Sequence, residues 1–257
     1  MKKLLGALLV VGLGALLISG CQTATSTAEP TIPADNMAQG IYDMTEDSLA
    51  IDGLILGITG SLSVSDVNAT AVTTPEYGSD GWWSFSDSYT TGGGFSYTRT
   101  FKLKIWDALG AEITTLAALA AIDDVTDISK IWLYATWTVD YGSSMSYTIK
   151  FGASTSDPLK FEGYNTASQS ISGPISYTST YEDKSLEITY TYSSLQMAVS
   201  GYPDGDVSFS VKENGATVVS GTISFNGTNI ATLTFTSGYT NTYTINLDTG
   251  VVTPASI

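Results

Sequence analysis

In the C-terminal part of the chain, apolar and polar residues alternate in four successive runs. Two Asn-Gly pairs, at 214–215 and 226–227, and a glycine at 238 separate these runs. Alternation with a period of two between turn residues is typical of half-buried antiparallel strands. The pattern therefore predicts an antiparallel meander over 206–248. Its apolar positions are Val207, Phe209 and Val211, then Val219, Gly221, Ile223 and Phe225, then Ala231, Leu233 and Phe235, and last Tyr239, Tyr243, Ile245 and Leu247.

The parity of these positions constrains the turns of the meander. Every apolar position is odd-numbered, so residues paired across a hairpin must be odd with odd if all of them face one core. A two-residue turn pairs odd with even positions. We therefore predict three-residue loops with Gly215 and Gly227 in the left-handed conformation and a G1 bulge, in place of the type I′ turn that Asn-Gly usually forms.

Earlier segments show the same alternation less regularly. Their polar positions are rich in threonine and serine, which suits strands with one wetted face. We predict strands over 95–105, 131–139, 145–151, 171–181, 186–192 and 195–199.

Two short helices are predicted among these strands. One covers 45–58, where Glu46 and Asp47 suit a helix start, and the other covers 111–122. The predicted fold class is mainly β, an antiparallel β-meander forming a sandwich or strongly curved sheet, with one or two short helices in the N-terminal half. Alternating strands also build transmembrane barrels, an alternative that threonine-lined polar faces disfavour.

The first residues of the chain have the layout of an export signal. Two lysines are followed by an apolar stretch over 4–18 and by Ser19-Gly20 before Cys21, the only cysteine in the 257 residues. The apolar stretch is shorter than the roughly 20 residues of a membrane-spanning helix. We predict that residues 1–20 are a signal peptide that is removed.

The segment Ile18-Ser19-Gly20-Cys21 resembles the lipobox of bacterial lipoproteins at all four positions. The resemblance implies that the sulfur of Cys21 receives a diacylglyceryl group, and that the new amino terminus is acylated, with palmitate as a typical chain. Two or three acyl chains make departure from a membrane very slow. A lone thiol in an oxidising compartment would be a liability, which lipidation removes. Cys21 is therefore predicted to be a membrane anchor.

The segment after the anchor is rich in Thr, Ala and Ser and contains two prolines. Residues 21–35 are therefore predicted to be a flexible tether, and residues 36–257 a single β-rich domain. In the Gram-negative sorting rule, an aspartate after the lipidated cysteine retains a lipoprotein at the inner membrane. Gln22 stands there, so resemblance to that rule implies a cell-envelope protein of the outer membrane.

Acidic residues outnumber basic ones. The chain has 10 basic and 25 acidic residues, and removing residues 1–20 takes away two lysines, which leaves 8 basic residues and a formal charge of −17. Such a surface repels phosphate backbones and anionic head groups. We therefore expect neither a nucleic-acid partner nor broad contact with a lipid surface.

Catalytic residues are sparse because the chain contains no histidine. This excludes histidine-based triads and the most common general base and metal ligand. We find no nucleophile elbow, phosphate-binding loop or dinucleotide fingerprint, and we expect no enzyme activity and no cofactor. A glycosidase needs two carboxylates about 5 to 10 Å apart. Asp80 with Asp87, or Glu182 with Glu187, are candidates, and solvated surface acids are the alternative.

Clusters of aspartates raise the question of calcium, which prefers oxygen ligands. Neither of two clusters has EF-hand spacing, and Pro-Asp-Gly at 203–205 is a sufficient turn signal by itself. They are weak candidates for a metal site. The clusters are Asp123, Asp124 and Asp127, and Asp204 with Asp206.

Trp82 and Trp83 are the candidate ligand-binding residues. Adjacent residues of a strand point to opposite faces, so one ring can join the core while the other is exposed. An exposed indole beside aspartates would stack on a sugar or a partner protein. The alternative is that the glycine-rich loop 92–94 shields both rings.

Three functions fit these features. The first is a non-enzymatic lipoprotein, tethered to an envelope membrane, that binds another envelope component or has a structural role. The second is a periplasmic carrier of a lipid or other apolar ligand, which predicts a large apolar cavity. The third is a carbohydrate-binding module or glycosidase, which predicts an open groove lined by aromatic rings.

Overall fold

The computed structural model describes residues 33–49, 71–91, 93–122, 127–142, 145–163, 166, 168–182, 184–197 and 201–255. These residues form two helices and fourteen antiparallel strands, which confirms the predicted mainly β class. The helices are α1 (Ala34–Leu49) and α2 (Leu116–Ala120). The strands are β1 (Ala71–Val72), β2 (Glu76–Tyr77), β3 (Trp83–Thr90), β4 (Phe95–Asp107), β5 (Ile128–Tyr141), β6 (Met145–Phe151), β7 (Leu159–Glu162), β8 (Ser170–Tyr181), β9 (Lys184–Met197), β10 (Pro203–Glu213), β11 (Ala216–Asn226), β12 (Ile230–Ser237), β13 (Thr242–Asn246) and β14 (Val251–Pro254).

Contacts divide the chain into two compact units. The central unit is Asp52–Tyr177, and the C-terminal unit joins Met1–Ile51 to Thr178–Ile257. The boundary falls within β8. The single domain proposed over 36–257 stays a prediction.

In the central unit the strand order is β1-β3-β4-β5-β6-β8, with β2 beside β3 and β7 beside both β5 and β8. The core lies on one side of these strands because their odd-numbered residues are apolar. Trp83, Leu103, Leu133 and Leu159 pair in one row across β3, β4, β5 and β7, and each is at most 2% exposed. The strands predicted over 95–105, 131–139 and 145–151 are confirmed.

Helix α2 is a single short helix within the predicted 111–122 segment. The hydroxyl of Thr115 accepts from the backbone N–H of Ala118 at 3.3 Å and caps the helix start. Leu119 is its buried residue.

In the C-terminal unit, β9 to β14 follow one another in sequence order, so the predicted meander is confirmed. Its predicted apolar positions in β10 to β13 are buried, including Val207, Ile223 and Leu233, each at 0% exposure. One boundary was wrong. The segment predicted as a separate strand over 195–199 continues β9 as far as Met197, and residues 198–200 lie outside the described part.

The first Asn-Gly turn differs from the prediction. Asn214 and Gly215 form a two-residue loop with φ values of 49° and 81°, as in a type I′ turn. Glu213 therefore pairs with Ala216. A bulge at residue 218 then shifts the register, so that the odd-numbered residues 211 and 219 pair. The three-residue loop predicted at Gly215 was wrong. The apolar side chains still face the core as predicted, because the unpaired residue 218 restores the pairing of odd with odd positions.

At the second Asn-Gly turn the predicted loop length is confirmed. Residues 227–229 join β11 to β12, Gly227 has a φ of 72°, and Phe225 pairs with Ala231. The register shift of this strand pair lies between Ser220 and Gly221, far from the turn, so the bulge predicted beside Gly227 was misplaced.

Helix α1 begins eleven residues before the predicted start at Thr45, and that prediction was wrong. Ala34 and Asp35, assigned to the tether, form its first turn, directly after Pro33, a residue that favours helix starts. Its buried stripe is Met37, Ala38, Ile41 and Tyr42. Residues 50–58 of the predicted helix lie outside the described part. Neither described helix has the length and apolar character needed to cross a membrane.

Candidate functional site

Both tryptophans predicted to bind a ligand are buried, Trp82 at 5% exposure and Trp83 at 2%. The indole N–H of Trp83 donates to the carbonyl of Ile113 at 2.7 Å, and its ring meets that of Tyr77 at 5.4 Å between centroids. Trp82 lies on the side opposite to Trp83, and its ring centre is 5.5 Å from Nζ of Lys104. Neither indole is exposed, which agrees with the alternative that both rings are shielded. Their contacts are with Tyr77, Ile113 and Lys104.

The side of the central unit opposite its core carries lysines and aromatic rings. Odd-numbered residues in the middle of β4 and β5 are buried, so the even-numbered ones share the other side. Seven half-buried residues there form what we call the lysine–tryptophan face. They are Lys102, Lys104 and Trp106 on β4, Lys130, Trp132 and Tyr134 on β5, and Lys160 on β7.

Strand register places each ring of this face beside a lysine. Neighbouring strands lie about 4.8 Å apart, and same-side residues follow one another about 6.7 Å along a strand. Cations and rings therefore alternate across the strands. The rows across the strands are Lys102 beside Tyr134, Lys104 beside Trp132 and then Lys160, and Trp106 beside Lys130.

The ammonium groups lie over the indoles. Nζ of Lys130 is 4.4 Å from the ring centre of Trp106 and 5.7 Å from that of Trp132, and Nζ of Lys160 is 5.0 Å from Trp132. The two indoles meet edge to face at 5.2 Å. A partly exposed cation–π contact is worth about 0.5 to 1 kcal/mol, whereas a hydrogen bond to a charged group is worth about 1.5 to 3 kcal/mol. Contact for contact, an anion would therefore offer these lysines more than the rings do, before the entropy cost of association.

Most lysines of the face have no carboxylate partner. Among the described residues, Lys104, Lys130 and Lys160 form no ion pair, whereas Lys102 pairs with Asp80 at 2.7 Å. That pairing lowers the pKa of Asp80 below its ordinary value, chiefly through the hydrogen bond from Lys102. These three lysines therefore lack a carboxylate partner in a chain that has 25 acidic residues.

The basic residues of the chain concentrate on this side. Lys150 on β6 stands beside Thr136, which shares the side of Tyr134. With it, five of the eight basic residues outside the signal lie on one side of the central unit. Carboxylates lie on this side as well. Asp80 pairs with Lys102, Glu112 is bridged to Trp106, and Glu76 lines the adjoining hollow. Glu162 stands beside Lys130 in register but accepts the indole N–H of Trp132 at 3.4 Å.

A hollow of about 650 Å³ adjoins the face and shares Lys102 and Tyr134 with it. Its lining mixes hydroxyl groups with aromatic carbon, which suits a ligand that has both apolar surface and hydroxyls. It is open to solvent, whereas a lipid carrier calls for an enclosed apolar cavity. Its other lining residues are Thr73, Thr74, Glu76, Ser84, Phe85, Ser86, Thr100 and Phe101.

The first pair of carboxylates considered for a glycosidase, Asp80 and Asp87, are each engaged by a cation. Asp80 pairs with Lys102 on the side of the lysine–tryptophan face, whereas Asp87 is buried on the core side. There Nε of Arg99 donates to Oδ1 of Asp87 at 2.8 Å, and Nη2 contacts Oδ2. These two carboxylates therefore belong to separate ion pairs on opposite sides of the strands.

The second carboxylate pair lies in the C-terminal unit. Glu187 accepts from Nζ of Lys212 at 2.7 Å. Glu182 is an exposed turn residue with a φ of 53°. Neither of these two carboxylates lines the hollow described above.

The calcium candidates divide between described and undescribed residues. Asp123 and Asp124 lie outside the described part, as does Cys21. Asp127, Asp204 and Asp206 are exposed. Within the described ranges, no three acidic, histidine or cysteine side chains come close enough together to hold a metal ion.

Sequence reasoning missed the lysine–tryptophan face because it followed only the apolar odd positions of β4 and β5. The signal was present in Lys-x-Lys-x-Trp at 102–106 and Lys-x-Trp-x-Tyr at 130–134. Large aromatic residues at even positions of strands whose odd positions form the core must lie on the other side. Such rings among lysines indicate a binding surface.

Comparison of the chain with protein-family models, with curated proteins and with solved structures found no match.

Proposed function

We propose that this protein is an exported lipoprotein, anchored to an envelope membrane through lipidated Cys21, whose β-sheet body is a non-enzymatic binding module of the cell envelope. The observation that supports binding is that Lys104, Lys130 and Lys160 on the lysine–tryptophan face form no ion pair with any described residue. The anchor rests on the resemblance of residues 18–21 to a lipobox.

The electrostatics of the face favour a ligand over a purely structural role. Two unit charges about 8 Å apart repel by roughly 0.5 kcal/mol in water and by roughly 2 kcal/mol at an effective dielectric constant of 20. Lys104 and Lys130 have this diagonal backbone spacing, and so do Lys130 and Lys160. Binding of an anion relieves this repulsion.

The alternatives are less well supported. A lipid carrier calls for an enclosed apolar cavity, whereas the hollow beside the face contains hydroxyls and Lys102. A glycosidase calls for a free carboxylate pair, whereas Asp80 and Asp87 are held in separate ion pairs. Carbohydrate binding fits the face, with Trp106 and Trp132 as the rings in place of Trp82 and Trp83.

The binding role is tested by retention on envelope material that has been cleared of protein. The full chain, purified in detergent, is compared with Lys130→Gln/Lys160→Gln and with the control Lys184→Gln/Lys212→Gln, which removes the same charge from the C-terminal unit. We expect the wild type and the control to be retained and the first variant to be retained at least about tenfold less, since each lost contact weakens binding. Equal retention of the two variants would refute the role of the face.

The anchor is tested separately. Mass spectrometry of the mature chain is expected to show residue 21 as the amino terminus with a diacylglyceryl group, and Cys21→Ser is expected to leave the membrane fraction. An unmodified Cys21, or a variant that stays in the membrane fraction, would refute the anchor and leave the binding test unaffected.

A further inference from the structure

We infer that the lysine–tryptophan face and its adjoining hollow bind an acidic polysaccharide, a polymer of sugars that carry carboxylate or phosphate groups. This inference rests on the proposed binding function and names the ligand class of the same surface.

The aromatic part of the surface suits sugar rings. A sugar has an apolar face of C–H groups and an edge of hydroxyls, and indoles bind such apolar faces by stacking. Trp106 and Trp132 are half-buried and lie side by side. The hollow continues this character, since Ser84, Ser86 and Thr100 offer hydroxyl partners beside aromatic carbon.

The lysines specify an acidic polymer rather than a neutral one. Lys104, Lys130 and Lys160 have no ion pair in the described part of the chain, while the chain as a whole carries an excess of acids. Ammonium groups bind carboxylates and phosphates through charge-assisted hydrogen bonds. An acidic sugar that draws Nζ of Lys130 away from Trp106 also uncovers that ring for stacking, so one event forms both contacts.

The extent of the surface points to a polymer. The hollow and the face together cross β3, β4, β5 and β7, which at about 4.8 Å between strands amounts to roughly 14 Å. Within this span the hollow has a volume of about 650 Å³. A single sugar would leave most of this surface unused.

A membrane surface fits these features less well. Anionic lipids contribute about 1 kcal/mol for each nearby lysine. A flat bilayer would have to meet a recessed hollow, however, whereas a single polymer chain can enter it. The formal charge of −17 outside the signal repels both kinds of anion and does not decide between them. We therefore commit to the polysaccharide and treat lipid binding as an outcome of the test.

The test measures the acetylation rate of individual lysines by mass spectrometry. The full lipidated chain is reconstituted in phosphatidylcholine vesicles, alone or with polygalacturonate, with a phosphomannan or with neutral dextran. A parallel sample uses vesicles that contain phosphatidylglycerol. Lys184 and Lys212 in the C-terminal unit are the internal controls.

We expect polygalacturonate or phosphomannan to slow acetylation of Lys104, Lys130 and Lys160 at least about tenfold, and dextran and phosphatidylglycerol to leave it unchanged. Protection by phosphatidylglycerol alone would overturn the inference and leave the binding function standing with a lipid ligand. Protection by dextran to the same degree would overturn the requirement for acidic sugars. If no polymer protects these lysines, the inference fails, and the retention assay decides separately whether the binding function fails with it.

Discussion

Tyr243 donates its phenolic hydrogen to Oδ1 of Asp35 at 2.7 Å, which joins β13 to the first turn of α1. The tyrosine is fully buried, whereas the aspartate is exposed. Gln39 adds two contacts from the same helix, since its side chain donates to the carbonyl of Gly250 at 2.8 Å and accepts from the N–H of Val252 at 3.1 Å. The helix is therefore held to the last strands of the C-terminal unit by polar contacts as well as by its apolar stripe.

Tyr243→Phe removes this hydrogen bond and keeps the ring. We expect the free energy of unfolding to fall by about 1 to 2 kcal/mol, because the acceptor is charged but remains solvated in the variant. Urea denaturation measures the change. Tyr181→Phe is the matched control, since Tyr181 is 43% exposed and is expected to have almost no effect. Equal stability of the two variants would contradict a stabilising role for the Tyr243–Asp35 contact.

The same contact predicts a dependence on pH. Burial and, secondarily, the hydrogen bond to Asp35 raise the pKa of Tyr243 from 10.0 to about 12. The protonated hydroxyl is favoured in the folded state, so its contribution is complete below the unfolded pKa and is lost as the pH rises from about 10 to about 12. The stability difference between the wild type and Tyr243→Phe should shrink over this interval. A constant difference would show that the pKa is not raised.

The alternation of apolar residues was sufficient to predict the mainly β class and the C-terminal meander, because each odd position had to face the core. It was not sufficient to predict the turn at Asn214. Two solutions satisfy the same parity, a three-residue loop or a two-residue loop followed by a bulge, and the strand pairing selects the second. The early start of α1 was missed because Pro33 was interpreted as part of the tether.

The candidate site was less predictable than the fold. Its residues come from β4, β5 and β7, and their proximity depends on the registers that pair Lys104 with Trp132 and Trp132 with Lys160. Register is not encoded within a single strand. Trp82 and Trp83 attracted attention because they are adjacent in the sequence, whereas the half-buried rings, Trp106 and Trp132, are 26 positions apart.

The buried ion pair of the central unit should contribute more to stability than the exposed pair of the C-terminal unit. The side chains of Asp87 and Arg99 are 9% and 24% exposed, against 37% and 38% for Glu187 and Lys212. Asp87→Asn leaves the guanidinium without its counter-charge, and we expect a loss of about 2 to 4 kcal/mol. Glu187→Gln is the matched control, with an expected loss below about 1 kcal/mol.

Thermal and urea unfolding of these two variants measure the difference. A loss for Asp87→Asn as small as that for Glu187→Gln would mean that the Asp87–Arg99 pair does not stabilise the strands of the central unit.

We expect the lysine–tryptophan face to carry a positive electrostatic potential that attracts small anions. Iodide should quench the fluorescence of Trp106 and Trp132 more effectively than caesium does, because the neighbouring ammonium groups attract the anion. In Lys130→Gln/Lys160→Gln, iodide and caesium should quench the fluorescence with more nearly equal efficiency. The control Lys184→Gln/Lys212→Gln should resemble the wild type.

Trp82 and Trp83 are shielded, whereas Trp137 is half-buried and is present in every variant. Single Trp106→Phe and Trp132→Phe variants therefore assign the part of the quenched signal that comes from the face. If iodide quenching is the same in all lysine variants, the face does not carry the positive potential that we ascribe to it.

The most direct test of the central claim is the dissociation constant of polygalacturonate for the detergent-solubilised full chain, measured by calorimetry at low salt. We predict saturable binding by the wild type and by Lys184→Gln/Lys212→Gln, at least about tenfold weaker binding by Lys130→Gln/Lys160→Gln, and no binding of dextran. The same dissociation constant for all three proteins, or equal binding of dextran, would contradict the account.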